Sequence, residues 1–325
     1  MSGVQLTKET LEARNIAADR ASIAQRMEDF RHRLPATEPN LIVREQVSAM
    51  ARAPQYIPEV TAGNLTTPVL RAAMDEHGAL IVRNMFSTTE TGTLVQAIEQ
   101  VLAACASPRE VRTKLASTYY NPPKNLVSIM PNKVQELGSL RMFNGASGAA
   151  MCVEAPCVAE ALLQMYETHG IKKLVADYLG EAPCLSVKKW VLRRNTPTLD
   201  PAGWHQDGAF MGTAINSINM WIPLTECGGE TGAPGMDVVP QRVTRISSAD
   251  GATFDWSISD EHVRSGAFAS IPVAPVFNAG DAFFFDHFYV HRTQYRDDFT
   301  KLRYAVETWF FGATTFPKEQ IPVAW

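Results

Sequence analysis

Apolar positions recur along the chain with two different periods, and the change from one to the other falls near residue 183. Before it the spacing is helical. "TKETLEARNIAADRASIAQRMEDFRHRL" has few breakers and predicts a helix ended by Pro35, with Leu11, Ile16, Ala17, Ile23, Met27 and Phe30 as one apolar stripe. A linker carrying Pro54, Pro58 and Gly63 follows, which divides the chain into a helical N-terminal extension, residues 1–57, and a body, residues 58–325. Within the body, "TTPVLRAAMDEHG" reads as a helix closed by Gly78 and "ALIVRNMF" as a short buried strand. "STTETGTLVQAIEQVLAAC" reads as a helix capped by Ser87 or Thr88. "CVAEALLQMYETHGIKKLVADYLG" is helical and breaks at Gly170.

Beyond residue 183 the runs are short and rich in Val, Ile, Phe, Tyr and Trp: "PCLSVKKWVLRR", "AINSINMWIPLTE", "GMDVVP", "AFASIPV", "DAFFFDHFYVH" and "RYAVETWFF". Helices first and serial strands afterwards point to an α+β fold, an antiparallel barrel or jelly roll flanked by helices, and not to an alternating βαβ plan.

Composition narrows the function. With 46% apolar and 20% charged residues the chain has the mix of a soluble globular protein. Its 30 basic and 34 acidic side chains leave a net charge of −4, which argues against nucleic acid as a partner. The five cysteines form no C-x-x-C, so neither a disulfide framework nor a zinc cluster is expected, and a reducing interior is the default. The start of the chain has no apolar leader and no run is long enough to cross a bilayer, so the expectation is a cytoplasmic location without a membrane partner. The N-terminal stripe must be covered by the body of the chain or by a second copy, which makes a homodimer one expectation.

Candidate chemistry begins in "GWHQDGAF". If this stretch is extended, His205 and Asp207 project to one face and Gln206 to the other. The later run "GDAFFFDHFYVHRT" offers His287 and His291, which share a parity, so alternation leaves the choice between them open. Two imidazoles and a carboxylate with other positions free suit a non-haem Fe(II) site, whereas structural zinc takes four protein ligands. Arg303 follows His291 by 12 residues. A guanidinium inside a barrel needs an anion, either a dicarboxylate co-substrate or a protein partner such as Glu307.

The ordered array of H-x-D, "GMDVVP", Gly280-Asp281, His291 and Arg303 resembles the phytanoyl-CoA dioxygenase family. These are Fe(II)/2-oxoglutarate-dependent oxygenases built on a double-stranded β-helix, and the resemblance runs roughly from residue 60 to 315, including "HGALIVRNMF". It implies His205, Asp207 and His291 as the metal ligands and catalytic centre. His291 is preferred over His287 because Gly280-Asp281 matches the turn that starts the second-histidine strand. It also implies 2-oxoglutarate gripped by Arg303 with help from Thr293, and a co-substrate pocket that includes Trp221 and Gln206. One departure is "VVPQRV", where many relatives have Pro-Gly-Ser-His; it bears on the rim of the pocket and not on iron. Relatives often place a residue of the strand before the motif near the iron-binding end of the co-substrate, and Lys188, Trp190 and Leu192 would share that face. Trp204, Phe210, Phe288 and Tyr289 are expected to line the substrate pocket.

The implied reaction consumes O2, converts 2-oxoglutarate to succinate, and hydroxylates a small, partly apolar metabolite of specialised metabolism. Desaturation, cyclisation or rearrangement would use the same ligands. Two other readings remain open: a cupin-like iron dioxygenase acting without 2-oxoglutarate, and a non-catalytic ligand-binding barrel. Arg303 and Thr293 speak against the first, and the intact ligand set against the second.

Overall fold

The computed structural model describes residues 5–30, 56–112, 114–124, 148–197, 203–247, 254–317 and 319–325, with the backbone of two short strands at 126–127 and 134–135. The strands are β1 (Glu59–Thr61), β2 (Ala79–Arg83), β3 (Leu126–Val127), β4 (Val134–Gln135), β5 (Ala149–Met151), β6 (Pro183–Asn195), β7 (Ser217–Pro223), β8 (Met236–Val238), β9 (Ala282–Phe285), β10 (His291–Thr293), β11 (Arg303–Gly312) and β12 (Pro322–Ala324). The helices are α1 (Lys8–Glu12), α2 (Ile16–Asp29), α3 (Thr67–Glu76), α4 (Thr88–Ala106), α5 (Arg109–Arg112), α6 (Pro156–Thr168), α7 (Ile171–Leu179), α8 (Gly208–Met211) and α9 (Asp260–Arg264).

One eight-stranded sheet runs β1-β2-β9-β7-β11-β6-β12, with β5 also on β6, and only the β1/β2 pair in it is parallel. Strand alternation gives it two apolar faces. Leu185, Trp190, Leu192, Met220 and Phe284 point to the helices, joining Leu94, Ile98, Leu162 and Val175 in the largest core cluster. Ile81, Trp221, Phe283, Phe285, Ala305 and Trp309 point the other way, into a second cluster shared with Met236 and Val238 of β8. A small sheet therefore packs on the large one. It pairs β10 with β8 and widens through single bridges, His205 to His291, Trp204 to Ile258, and Val238 to Val273. The result is helices, a large sheet and a small sheet in three layers, a mixed α/β architecture in which serial strands follow helices.

Local chemistry explains the boundaries. Ser87 caps α4 reciprocally with Glu90, each bonding the other's backbone N–H. Gly170 separates α6 from α7 at φ 73°, a left-handed conformation glycine adopts without strain. The N-terminal helix is two pieces: the first ends at Glu12 with Ala13 as its C-cap, and Asn15 caps the second by accepting from Ala18 N–H. Of its predicted stripe, Leu11, Ile23 and Met27 enter the main core and Phe30 packs on Phe316 at 5.0 Å, whereas Ala17 is exposed. Arg26 pairs with Glu160 of α6 at 2.7 Å, so the described part of this segment is covered by its own chain. Residues 31–34, Pro35 and Pro54 lie outside the described residues.

Two strand expectations are corrected. "AFASIPV" forms no strand beyond the single Val273 bridge; Pro272 has no N–H to donate and Ile271 is exposed. "DAFFFDHFYVH" is not one strand but two. It leaves the large sheet after Phe285, turns over residues 286–290, and enters the small sheet at His291. Asp286 holds the turn: its carboxylate accepts from Phe288 N–H and pairs with Arg242, and its carbonyl accepts from Tyr289 N–H.

Candidate active site

Three donors meet in the small sheet. Among the described residues, His205, Asp207 and His291 form a group whose ligand atoms all lie within 4.8 Å of one another. The two imidazoles arrive on neighbouring strands. His205 and His291 exchange backbone hydrogen bonds of 2.9 and 3.1 Å, which sets their ring centroids 4.4 Å apart. Asp207 arrives differently from the extended geometry expected of H-x-D. The strand ends at His205, and Asp207 sits at φ −60°, ψ −27° as the cap of α8. Gly208 permits that turn, since a Cβ there would lie 2.9 Å from the carbonyl oxygen of His287.

The imidazoles are oriented for a metal. Nδ1 of His205 is 2.9 Å from the Gly203 carbonyl and Nδ1 of His291 is 3.0 Å from the Tyr289 carbonyl. A carbonyl only accepts, so each Nδ1 carries the proton and each Nε2 keeps its lone pair for the centre. Burial, with the second imidazole close beside it, pushes the pKa of His205 down to about 4, which keeps it neutral and able to ligate. Burial alone would raise the pKa of Asp207, but Lys189, His291 and His205 outweigh it and hold the carboxyl well below its ordinary range. His287, the alternative offered by alternation, stands apart from this group. Its ring faces Ser217 Oγ at 3.1 Å and the Thr213 carbonyl at 3.3 Å.

The face of the large sheet turned towards the triad carries charge. Lys189 donates to Asp207 at 2.8 Å and lies 3.8 Å from Glu307, which Arg193 also holds at 2.6 Å. The site-facing parity of β6 is thus Lys189, Val191, Arg193 and Asn195. The expectation for Lys188, Trp190 and Leu192 is off by one: Trp190 and Leu192 pack against the helices, and Lys188 reaches out to the Glu319 carbonyl.

Arg303 is only 2% exposed and donates to Asn195, its neighbour across the β11/β6 pair. Its guanidinium lies 5.4 Å from the Trp221 ring, and its buried Nε has no partner. Burial pushes its pKa down to about 10. Glu307, the protein anion expected as the ordinary partner of Arg303, is taken by Arg193 and Lys189. Thr293 lies two residues beyond His291 on β10, opposite Met236. Gln206 lends its amide to the backbone instead, donating to the Arg245 and Phe288 carbonyls and accepting from Ser247 N–H.

Of the aromatics expected around the substrate, only Phe210 stands by the triad, 6.4 Å from the His205 ring. Trp204 is buried in a third apolar cluster and donates to Asp260, Tyr289 packs on Phe283 and Phe285, and Phe288 lies on His287. Trp256 was missed. It sits 5.4 Å from the His205 ring, brought there by the Ile258–Trp204 bridge, and no periodic pattern marks it in the sequence.

The family profile "Phytanoyl-CoA dioxygenase (PhyH)" matches residues 74–295, more than half of the chain. The chain belongs to the phytanoyl-CoA dioxygenase family. As a member it is an oxygenase-type enzyme of the iron- and 2-oxoglutarate-dependent class. No curated protein sequence matches it significantly. Among solved structures it is similar to EctD from S. alaskensis with 2-oxoglutarate and 5-hydroxyectoine, at 14% identity and TM-score 0.52, over 78% of this chain and 81% of that one. It is also similar to the non-heme alpha ketoglutarate dependent carbocyclase SnoK from nogalamycin biosynthesis, at 17% identity and TM-score 0.48, over 78% of this chain and 87% of that one. At that identity the likeness to EctD is one of fold. Among the described residues no helix of this family member is long and apolar enough to cross a membrane.

Proposed function

We propose that the chain is an Fe(II)- and 2-oxoglutarate-dependent dioxygenase acting on a small, partly apolar molecule, with His205, Asp207 and His291 as its metal ligands. The observation that carries this reading is the convergence of those three donors within 4.8 Å, with both Nε2 atoms free. Two imidazoles and one carboxylate, with no fourth described donor in the group, suit iron that must also meet O2 and a chelating co-substrate. We read the two packed sheets as a double-stranded β-helix formed by residues 58–325, on which the N-terminal segment is docked.

Arg303, assisted by Thr293 and Trp221, is the proposed grip for the distal carboxylate of 2-oxoglutarate. A buried guanidinium whose one described partner is a neutral amide lacks an anion, and a carboxylate supplies one. Lys189 holds the Asp207 carboxylate in place and keeps it ionised, while Gln206 fixes the turn beneath it and is not assigned a contact with the co-substrate. When bound, iron and 2-oxoglutarate would supply the activation of O2 and the oxidising equivalents, leaving succinate.

The test is anaerobic Fe(II) binding followed by 2-oxoglutarate turnover. One Fe(II) per chain and succinate release dependent on iron, O2 and 2-oxoglutarate are expected. Binding of iron without any dependence on 2-oxoglutarate would favour the cupin-like reading instead, and binding of neither would favour a ligand-binding barrel.

A further inference from the structure

Beside His205 stand rings that the metal centre does not use. Trp256 meets the His205 imidazole edge-on, at 5.4 Å and 70°. Phe210 tilts against Trp256 at 5.0 Å, and Phe254 stacks on it at 4.8 Å with the planes only 14° apart. These rings are held in place. Phe254 N–H donates to Ser257 Oγ at 2.9 Å and Ser257 N–H returns to the Phe254 carbonyl at 2.8 Å, closing a turn around Trp256. Ile258, next along, is bridged to Trp204 and so pins the turn beside the strand that carries His205.

Their setting is not that of a core. Trp256 and Phe254 belong to none of the three buried apolar clusters among the described residues, and Phe210 lies only at the margin of one. Phe254 is 39% exposed, and Phe210 and Trp256 are half-buried. Three large rings kept partly open to solvent cost apolar exposure that a packing role would remove. A fixed run of ring faces next to the reacting position favours a flat π-partner. Ring-on-ring contact adds to area burial, whereas a flexible chain must lose rotamer freedom to lie on the same surface.

Resting on the oxygenase reading above, we propose that Phe210, Trp256 and Phe254 are the substrate wall and that the substrate is a planar aromatic molecule, stacked on Trp256 with an edge towards the metal centre. The wall sets specificity. It takes no part in holding iron or 2-oxoglutarate.

A matched pair of anions separates shape from charge: anthraquinone-2-sulfonate as the planar probe and decyl sulfate as the flexible one. Each is titrated calorimetrically into the protein loaded with Fe(II) and 2-oxoglutarate under nitrogen, and into the metal-free protein. The planar probe should bind at least about tenfold more tightly than the alkyl probe. W256A should remove about tenfold of that affinity, W256F should keep most of it, and neither should change iron or 2-oxoglutarate binding. F254A, at the open end of the wall, gives the same reading from a position where truncation does not threaten folding. Equal or tighter binding of decyl sulfate, or planar-probe binding indifferent to W256A and F254A, would overturn the proposal. Planar binding that persists while iron and 2-oxoglutarate fail to bind would overturn the oxygenase reading and leave the wall standing.

Discussion

Lys189 donates from Nζ to Oδ1 of Asp207 at 2.8 Å, so without metal the cation hydrogen-bonded to this buried carboxylate is a lysine from the facing sheet. Removing one partner of a buried pair leaves the other charge uncompensated, at a cost of about 3–5 kcal/mol. K189M should therefore destabilise the metal-free protein by that order in urea unfolding. Saturating Mn(II), which supplies positive charge to the same carboxylate, should restore much of the loss. A K189M protein as stable as the parent without metal would remove Lys189 from this role.

His291 and His287 differ in what they lose. H291A should abolish tight metal binding, whereas H287A should keep one metal per chain. H287A leaves Ser217 Oγ without its buried partner and should cost stability of about 1–3 kcal/mol. Metal stoichiometry and thermal unfolding of both variants check this, and loss of metal from H287A alone would reverse the assignment.

R303A should raise the 2-oxoglutarate concentration needed for succinate release by two orders of magnitude or more, corresponding to about 3 kcal/mol for a buried charge-pair contact. Iron binding should be unchanged. R303K should recover only part of the loss, because an ammonium cannot bind a carboxylate through two parallel N–H groups. Unaltered 2-oxoglutarate dependence in R303A would point to another cation.

The pH dependence has a definite sign. His205 has its pKa lowered from 6.5 to about 4 by burial. As pH falls through that window the unfolded chain takes up a proton that the folded chain refuses, so stability is lost on acidification, by about 3 kcal/mol in full. Asp207, also lowered, works in the same direction: its contribution is present above the ordinary carboxylate range and is lost below it. Urea unfolding of the metal-free protein should show a decline over this range that is smaller in H205N. A flat profile for the parent would show that the imidazole is not held neutral.

How much of this could be read from the chain alone depends on how local each signal is. His205, Asp207, His291 and Arg303 stand at spacings that survive any uncertainty about where strands end, and the structure brings the first three together. Ser87 with Glu90 announces its own cap. Lys189 was hidden, because strand parity is fixed only by the partner strand, and a shift of one residue exchanges every side chain between faces. The division of "DAFFFDHFYVH" was hidden too: Asp286 and His287 fit the alternation while the backbone changes sheets. Trp256 lies in irregular chain, where neither period operates.

The exchange of backbone hydrogen bonds between His205 and His291 has a mechanical consequence. The small sheet is a patchwork of three-residue strands and single bridges, while β6, β7 and β11 form long continuous ladders. Regions with so few fixed amides open first, well below the energy of global unfolding. An ion bound to both imidazoles would act as a rivet through that weak seam, tying its two halves across more than 80 residues of sequence. The working lifetime of such a catalyst is then governed by how long the rivet stays in, not by the melting of the large sheet. Amide exchange at His205 and His291 would reveal its loss before any other sign of unfolding.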